Sequence, residues 1–199
     1  MPNSLGVNIA VEGDLDEALL KKVLNSIGIE VVHVYGKRGK DYLRENIQRY
    51  NQAAQYRSWV VLADLDNDAE CAPPFIASWL RTKNPNLQLR IAVRTIEAWL
   101  LADRGEIARF LSVSEQRIPL NVEDVEKPKT TLINVVRHSR NKSIRTDIIP
   151  REWSTATQGP GYTSRLIDFT IKRWDPERAA SNAPSLERSI NSLLRWKMG

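Results

Sequence analysis

Cysteine and histidine are scarce in this chain of 199 residues, and long apolar runs are missing. The single cysteine, Cys71, excludes a disulfide within the chain and a four-cysteine zinc site. His33 and His138 have no Cys or Asp partner at a recognisable spacing, so nothing supports Ser-His-Asp or Cys-His catalysis. No segment reaches the roughly 18 apolar residues of a membrane helix, and the N-terminus does not resemble a signal peptide. We therefore expect a cytoplasmic protein with no membrane partner.

The charge of the chain is unevenly distributed. The net charge is +5, with 42% hydrophobic and 27% charged residues, which is ordinary globular composition. From Lys129 onward there are 13 Lys and Arg against 6 Asp and Glu, whereas the preceding part has 16 against 18. An acidic first part and a basic second part suit a protein that holds a metal ion with one and a polyanion with the other. Basic helices that only keep the chain in solution are the alternative.

Strand and helix patterns alternate along the first half of the chain. Four apolar runs read as strands and are separated by amphipathic helical stretches: GVNIAVE, IEVVHVY, WVVLA and NLQLRIAV. Strands that are apolar on both faces indicate a parallel sheet covered by helices. We therefore predict an α/β fold, with a mostly parallel four-stranded sheet flanked by helices over residues 1–113. Residues 114–199 are predicted to form a helical extension that packs on this domain.

Carboxylates follow two of the predicted strands. The apolar run WVVLA leads directly into Asp64, Asp66 and Asp68, and the first strand ends at Glu12, ahead of Gly13 and Asp16. Ligands of parallel α/β sheets gather at the carboxyl ends of the strands. Because like charges at close range disfavour joint ionisation, a divalent cation such as Mg²⁺ would stabilise this group.

Each acidic position also has a plain structural interpretation. Asp68 could cap a helix in a solvated turn, and Asp16 could be an ordinary carboxylate in the first turn of a helix. If the chain stayed extended beyond Asp64, Asp66 would point the same way as Asp64. The pattern alone leaves both interpretations open.

These motifs together resemble the TOPRIM domain. The resemblance rests on the strand ending VEG, the acidic residue three positions later and the hydrophobic strand running into DLD, and it covers roughly residues 6–102. It implies that Glu12 acts in acid–base chemistry or metal binding and that Asp64 and Asp66 coordinate one or two Mg²⁺ or Mn²⁺ ions. Asp16 matches an acidic position of the first motif, and Asp68 extends the second.

The resemblance favours the nucleases among TOPRIM proteins. The sequence offers no separate domain with a nucleophilic tyrosine, as a topoisomerase needs, and no zinc module, as a primase usually carries. Compact nucleases remain, including the overcoming-lysogenization-defect class and others of phage defence, the small ribosomal-RNA maturation ribonucleases and uncharacterised bacterial TOPRIM-like proteins. The resemblance thus implies a Mg²⁺-dependent phosphodiesterase that acts on nucleic acid. The alternatives are a non-catalytic module that binds nucleic acid, or a subunit that acts with a partner ATPase or as a homo-oligomer.

Two further positions are candidates for catalysis. Glu97 lies in the otherwise apolar run IEAWLLA, where an unpaired charge would be costly, so we expect a site role. An ion pair with Arg94 or Arg104 is the alternative. Lys129 follows Pro128 at a predicted helix start and could stabilise charge on a phosphate, although an exposed lysine is the better interpretation of the local sequence.

Two groups of cations are candidates for nucleic-acid binding. The turn GKRGK, after the second strand, suits contact with phosphate, and a basic segment lies later in the chain with little acid nearby. The predicted phosphate contacts are Lys37, Arg38, Lys40, Arg137, Arg140, Lys142 and Arg145. Solvated basic surface is the alternative for both groups.

Overall fold

A parallel sheet forms the centre of the fold in the computed structural model, which describes residues 5–198. Within these residues the sheet has four strands in the order β2-β1-β3-β4, and all of its pairings are parallel. The strands are β1 (Leu5–Val11), β2 (Ile29–Gly36), β3 (Trp59–Asp64) and β4 (Leu87–Ala92). The predicted α/β class with a parallel four-stranded sheet is therefore confirmed.

Helices cover the sheet and continue beyond it. The first half of the chain supplies α1 (Asp14–Ser26), α2 (Lys40–Ala53), α3 (Ala72–Trp79), α4 (Ile96–Ala102) and α5 (Arg104–Leu111). The second half supplies α6 (Pro128–Val136), α7 (Lys142–Ile148), α8 (Tyr162–Lys172), α9 (Pro176–Ala180) and α10 (Pro184–Met198). In the described part of the chain no helix is long and apolar enough to cross a membrane.

The sheet is buried on both faces. Successive side chains of a strand point to opposite faces, and both sets are apolar in β1 and β3. Ile9 and Leu62 pack with α1 and α4, whereas Ala10 and Val61 pack with α2 and α3. This double burial explains why the central strands are almost continuously hydrophobic.

The helices of the second half complete one of these two cores. Leu132 of α6 and Phe169 of α8 belong to the same cluster of buried side chains as Leu19 of α1. Trp99 links the two halves directly, because its indole N–H donates to Ser185 Oγ at 2.7 Å. The core therefore crosses the predicted boundary between residues 113 and 114. The division of the chain into two parts at this boundary stays a prediction.

The sequence TIEAWLLADRGEIARFLSV, residues 95–113, has a helical pattern throughout, but the structure interrupts the helix at Asp103. The Asp103 carboxylate is buried and accepts hydrogen bonds from the Asp175 N–H at 3.1 Å and the Arg178 guanidinium at 2.9 Å. These long-range bonds hold Asp103 outside helical geometry, so α4 and α5 are separate elements. The short helices α7 and α9 were not predicted.

Candidate functional site

A cleft opens at the carboxyl ends of β1 and β3, where the two acidic motifs meet. Its volume is about 260 Å³, and Glu12, Asp16, Asp64 and Glu97 line it together with Lys129. The strand order places β1 and β3 side by side, with Ala10 opposite Val61. Residues that are far apart in sequence therefore converge because neighbouring parallel strands end at the same edge of the sheet.

Backbone hydrogen bonds hold the first two carboxylates in place. The Asp64 N–H donates to Glu12 Oε1 at 2.9 Å, which ties the end of β3 to the residue after β1. The Ile96 N–H donates to Asp64 Oδ1 at 3.0 Å, which ties Asp64 to the first residue of α4. Glu12 and Asp64 are thus positioned by main-chain groups of different βα units.

Asp16 is the third carboxylate, and it is buried although it lies in the first turn of α1. A side chain at Gly13 would bring its Cβ to 3.3 Å from Asp16 Oδ2, so the glycine leaves room for this carboxyl group. Burial, and then the charge of Glu12, raise the pKa of Asp16 from 3.8 to about 7. Asp16 is therefore placed to exchange a proton near neutral pH.

The pKa values of Asp64 and Glu12 are also raised. Burial raises the pKa of Asp64 well above its usual value, and the charges of Asp16, Glu97 and Glu12 add to the effect. Burial also raises the pKa of Glu12, although the Asp64 N–H and the Lys40 ammonium act against it. The cleft thus disfavours full ionisation, and a proton or a cation would stabilise it.

Glu97 is held by two hydroxyl groups. It is buried, Thr95 Oγ1 donates to its Oε2 at 2.6 Å, and the Tyr162 hydroxyl donates to its Oε1 at 2.9 Å. The alternative of an ion pair with Arg94 or Arg104 is wrong, because both guanidinium groups bond elsewhere. Glu97 instead faces the cleft, as predicted for a site residue.

Tyr162 is a site residue that the sequence analysis missed. Its ring lies 5.1 Å from the Lys129 ammonium and its hydroxyl bonds Glu97, so one buried side chain contacts both. Burial, followed by the charge of Glu97, raises its pKa strongly, so the hydroxyl remains a donor. The sequence signal near Tyr162 is the GPG that precedes it, which indicates a tight turn. A Cβ at Gly159 would lie 2.3 Å from the Asp147 carbonyl oxygen, so this turn requires glycine.

Asp66 and Asp68 do not line the cleft, although their charges act on Glu12. Both bind the Lys40 ammonium, at 2.5 Å and 2.8 Å, and neither lines the cleft. The expectation that Asp66 points the same way as Asp64 is wrong, because β3 ends at Asp64 and Asp66 adopts a left-handed conformation with φ of 49°. Asp68 does not cap a helix either, since α3 begins at Ala72.

The GKRGK turn is largely engaged by the protein itself. Lys40 neutralises Asp66 and Asp68, which form the acidic loop after β3. Lys37 binds Asp14 at 2.6 Å and Glu17 at 3.0 Å, and these contacts raise the pKa of Lys37 to about 12. The guanidinium of Arg38 lies 5.3 Å from the Tyr42 ring centroid. This turn therefore supplies a balancing charge next to the acidic loop.

The later basic segment remains exposed. Arg137, Arg140 and Lys142 are exposed at the end of α6 and the start of α7, and none of them forms an ion pair within residues 5–198. Arg145 is half-buried and donates to the Ser139 carbonyl oxygen. Three of the four predicted contacts are thus free to meet an anion.

The donor chemistry of the cleft fits a hard cation. The carboxylates that line the cleft offer only oxygen ligands, which Mg²⁺ and Mn²⁺ accept. In the part of the chain that the structure describes, however, no group of three or more His, Cys, Asp or Glu side chains is placed to hold a metal ion.

Comparisons of the chain with family models, with curated proteins and with solved structures find no match. The resemblance to TOPRIM proteins therefore stays a prediction.

Proposed function

We propose that the protein is a phosphodiesterase that depends on a divalent cation and acts on nucleic acid. One observation carries the proposal: the carboxylates of Glu12, Asp16, Asp64 and Glu97 converge on one cleft although they belong to different segments. Burial raises the pKa values of Glu12, Asp16 and Asp64, and the charges of nearby carboxylates add to the effect. Perturbed carboxyl groups in a cleft are typical of catalytic sites and of cation sites.

Glu12 and Asp64 are the residues that would hold the cation, since main-chain bonds orient both of them. The bound ion would supply Lewis-acid stabilisation of the negative charge on the phosphate. Asp16, whose pKa is about 7, would accept the proton of the attacking water. Lys129 lies at the start of α6 on the wall of the cleft, where its ammonium would attract a phosphate oxygen.

Glu97 and Tyr162 act as positioning residues in this proposal. The Tyr162 hydroxyl orients the Glu97 carboxylate, and the Tyr162 ring supports the Lys129 ammonium. The ordering of both groups before substrate arrives reduces the reorganisation needed during the reaction. The exposed cations Arg137, Arg140 and Lys142 would contact the backbone without reading sequence.

A nicking assay on supercoiled plasmid and on structured RNA tests the proposal with Mg²⁺ and with Mn²⁺. We expect the double variant Glu12→Gln, Asp64→Asn to lose activity by about 100-fold or more, because it removes the two oriented carboxylates. Asp168→Asn is the matched control, since Asp168 is a surface carboxylate paired with Lys172 at 2.5 Å. Equal trace activity in wild type and double variant would contradict the proposal.

The second candidate is a non-catalytic module that binds nucleic acid. Two observations favour it: Lys40 already neutralises Asp66 and Asp68, and among residues 5–198 no group of three or more His, Cys, Asp or Glu side chains is placed to hold a metal ion. This candidate predicts binding that persists in EDTA and no cleavage of DNA or RNA with any divalent cation.

A further inference from the structure

A groove that shares no lining residue with the acidic cleft runs along the open edge of the sheet. It lies between α3 and α10, beside β4, which is the last strand of the sheet. Its volume is about 490 Å³, and its polar lining includes Arg90, Arg188, Ser185 and Ser189. None of these positions was a predicted site residue.

Two arginines, Arg90 and Arg188, line the groove, and two further cations outside its lining interact with Arg90. Arg90 donates to Gln88 Oε1 at 2.6 Å, but its Nε is buried and has no hydrogen-bond partner. Arg188, Arg195 and Lys83 form no ion pair within the described range 5–198. The groove lining contains one carboxylate, Glu70, which is exposed.

The cations of this edge repel one another. Burial, and then the charge of Arg195, lower the pKa of Arg90 to about 10. Burial, and then the charge of Arg90, lower the pKa of Lys83. Elsewhere in the protein, by contrast, buried or half-buried cations such as Lys40 contact carboxylates directly. A buried guanidinium charge without a counter-ion is costly, and an anion bound where Arg90 lines the groove would offset it.

The groove lies next to the acidic cleft at the same end of the sheet. Ala92, the last residue of β4, pairs with Asp64. The next residue, Val93, lines the groove, and its N–H donates to Ser185 Oγ at 3.3 Å. Adjacent strands are about 4.8 Å apart, so a chain lying in the groove would pass close to the cleft carboxylates.

We propose that the groove between α3 and α10 binds the phosphodiester backbone of a single nucleic-acid strand through Arg90 and Arg188. The need for an anion follows from the unpartnered cations, whereas the identity of that anion rests on the proposed function. A volume of about 490 Å³ is that of a small-ligand site. It admits the backbone of one strand and is too small for a duplex.

Fluorescence anisotropy with labelled oligothymidylate and oligouridylate in EDTA tests this proposal without cleavage. The double variant Arg90→Gln, Arg188→Gln should bind about tenfold more weakly, because two phosphate contacts are lost. The slope of log binding constant against log salt concentration should become less negative by about 1.4. Each phosphate contact with a single strand contributes about 0.7 to this slope. The single variant Arg188→Gln, at an exposed position, should show about half of this change in slope.

The matched control is Arg44→Gln, Arg173→Gln, which removes the same charge at two exposed arginines that do not line the groove. An equal loss in the control, or an unchanged salt slope in the groove variants, would overturn the proposal. So would a duplex that competes as well as the single strand, or inorganic pyrophosphate that binds the groove while oligonucleotides do not.

The assay also separates this proposal from the proposed function. If the groove variants bind normally while wild type still nicks plasmid, only the groove assignment fails. If groove-dependent binding is found but no cleavage occurs with Mg²⁺ or Mn²⁺, the groove assignment stands and the phosphodiesterase fails.

Discussion

Replacing Asp16 by asparagine should stabilise the metal-free protein near pH 8 and leave it almost unchanged near pH 4. Asp16 is buried and lies among other carboxylates, which raises its pKa from 3.8 to about 7. The folded chain therefore binds this proton more tightly than the unfolded chain. Stability is lost as the pH rises from about 4 to about 7 and is then constant, because the carboxylate is ionised in both states. Asparagine resembles the protonated group and avoids this loss.

The magnitude follows from the two pKa values. At about 1.36 kcal/mol per pH unit, a rise from 3.8 to about 7 corresponds to an upper limit of about 4 kcal/mol. Neighbouring carboxyl groups share the protonation, so we expect a gain of about 2–4 kcal/mol near pH 8. For a chain of this length that is an increase in Tm of about 4–16 °C.

Thermal unfolding in EDTA, followed by circular dichroism between about pH 4 and pH 8, measures this effect. The control Asp168→Asn should change the free energy of unfolding by less than about 0.5 kcal/mol at every pH, because its carboxylate is at the surface. A lower Tm for Asp16→Asn near pH 8, or the same gain at both ends of the pH range, would refute the electrostatic reasoning.

Two other predictions concern the same cleft. Tyr162→Phe should lower the free energy of unfolding by about 1.5–3 kcal/mol in urea denaturation, because the buried Glu97 carboxylate loses a donor. Tyr56→Phe, at a position that is 85% exposed, should have almost no effect, and equal losses in both variants would argue against the bond. Mn²⁺ at about 100 times its Kd should stabilise the protein by about 2.7 kcal/mol. The same Mn²⁺ concentration should stabilise it less near pH 5, where protons compete for the carboxylates, and a pH-independent effect would place the ion elsewhere.

The sheet could be predicted because its signal is local. The runs of β1 and β3 are apolar on both faces, which indicates parallel strands between helices, and each run ends in a carboxylate. From this order alone Glu12 and Asp64 could be expected at the carboxyl end of the sheet, and the structure places them there. The break at Asp103 could not be predicted, because its cause is Arg178 in a distant helix.

The candidate site was predictable only in part, and for a similar reason. Asp66 leaves the strand direction through a left-handed backbone conformation, and Lys40 from another βα unit binds its carboxylate. The Tyr162 hydroxyl bonds Glu97, which lies 65 residues earlier in the chain. The sequence places Arg90 in a strand but does not show that this strand, β4, lies at an edge of the sheet. Each of these depends on contacts between distant segments.

We propose that Glu12 and Asp64, at the carboxyl ends of adjacent strands, hold one divalent cation. A crystal of the protein soaked in Mn²⁺ and measured at the manganese absorption edge tests this directly. We expect an anomalous peak in the acidic cleft within about 2.0–2.4 Å of oxygens from both residues. A cleft without such a peak at saturating Mn²⁺, with the two carboxylates still bonded only to main-chain N–H groups, would contradict it.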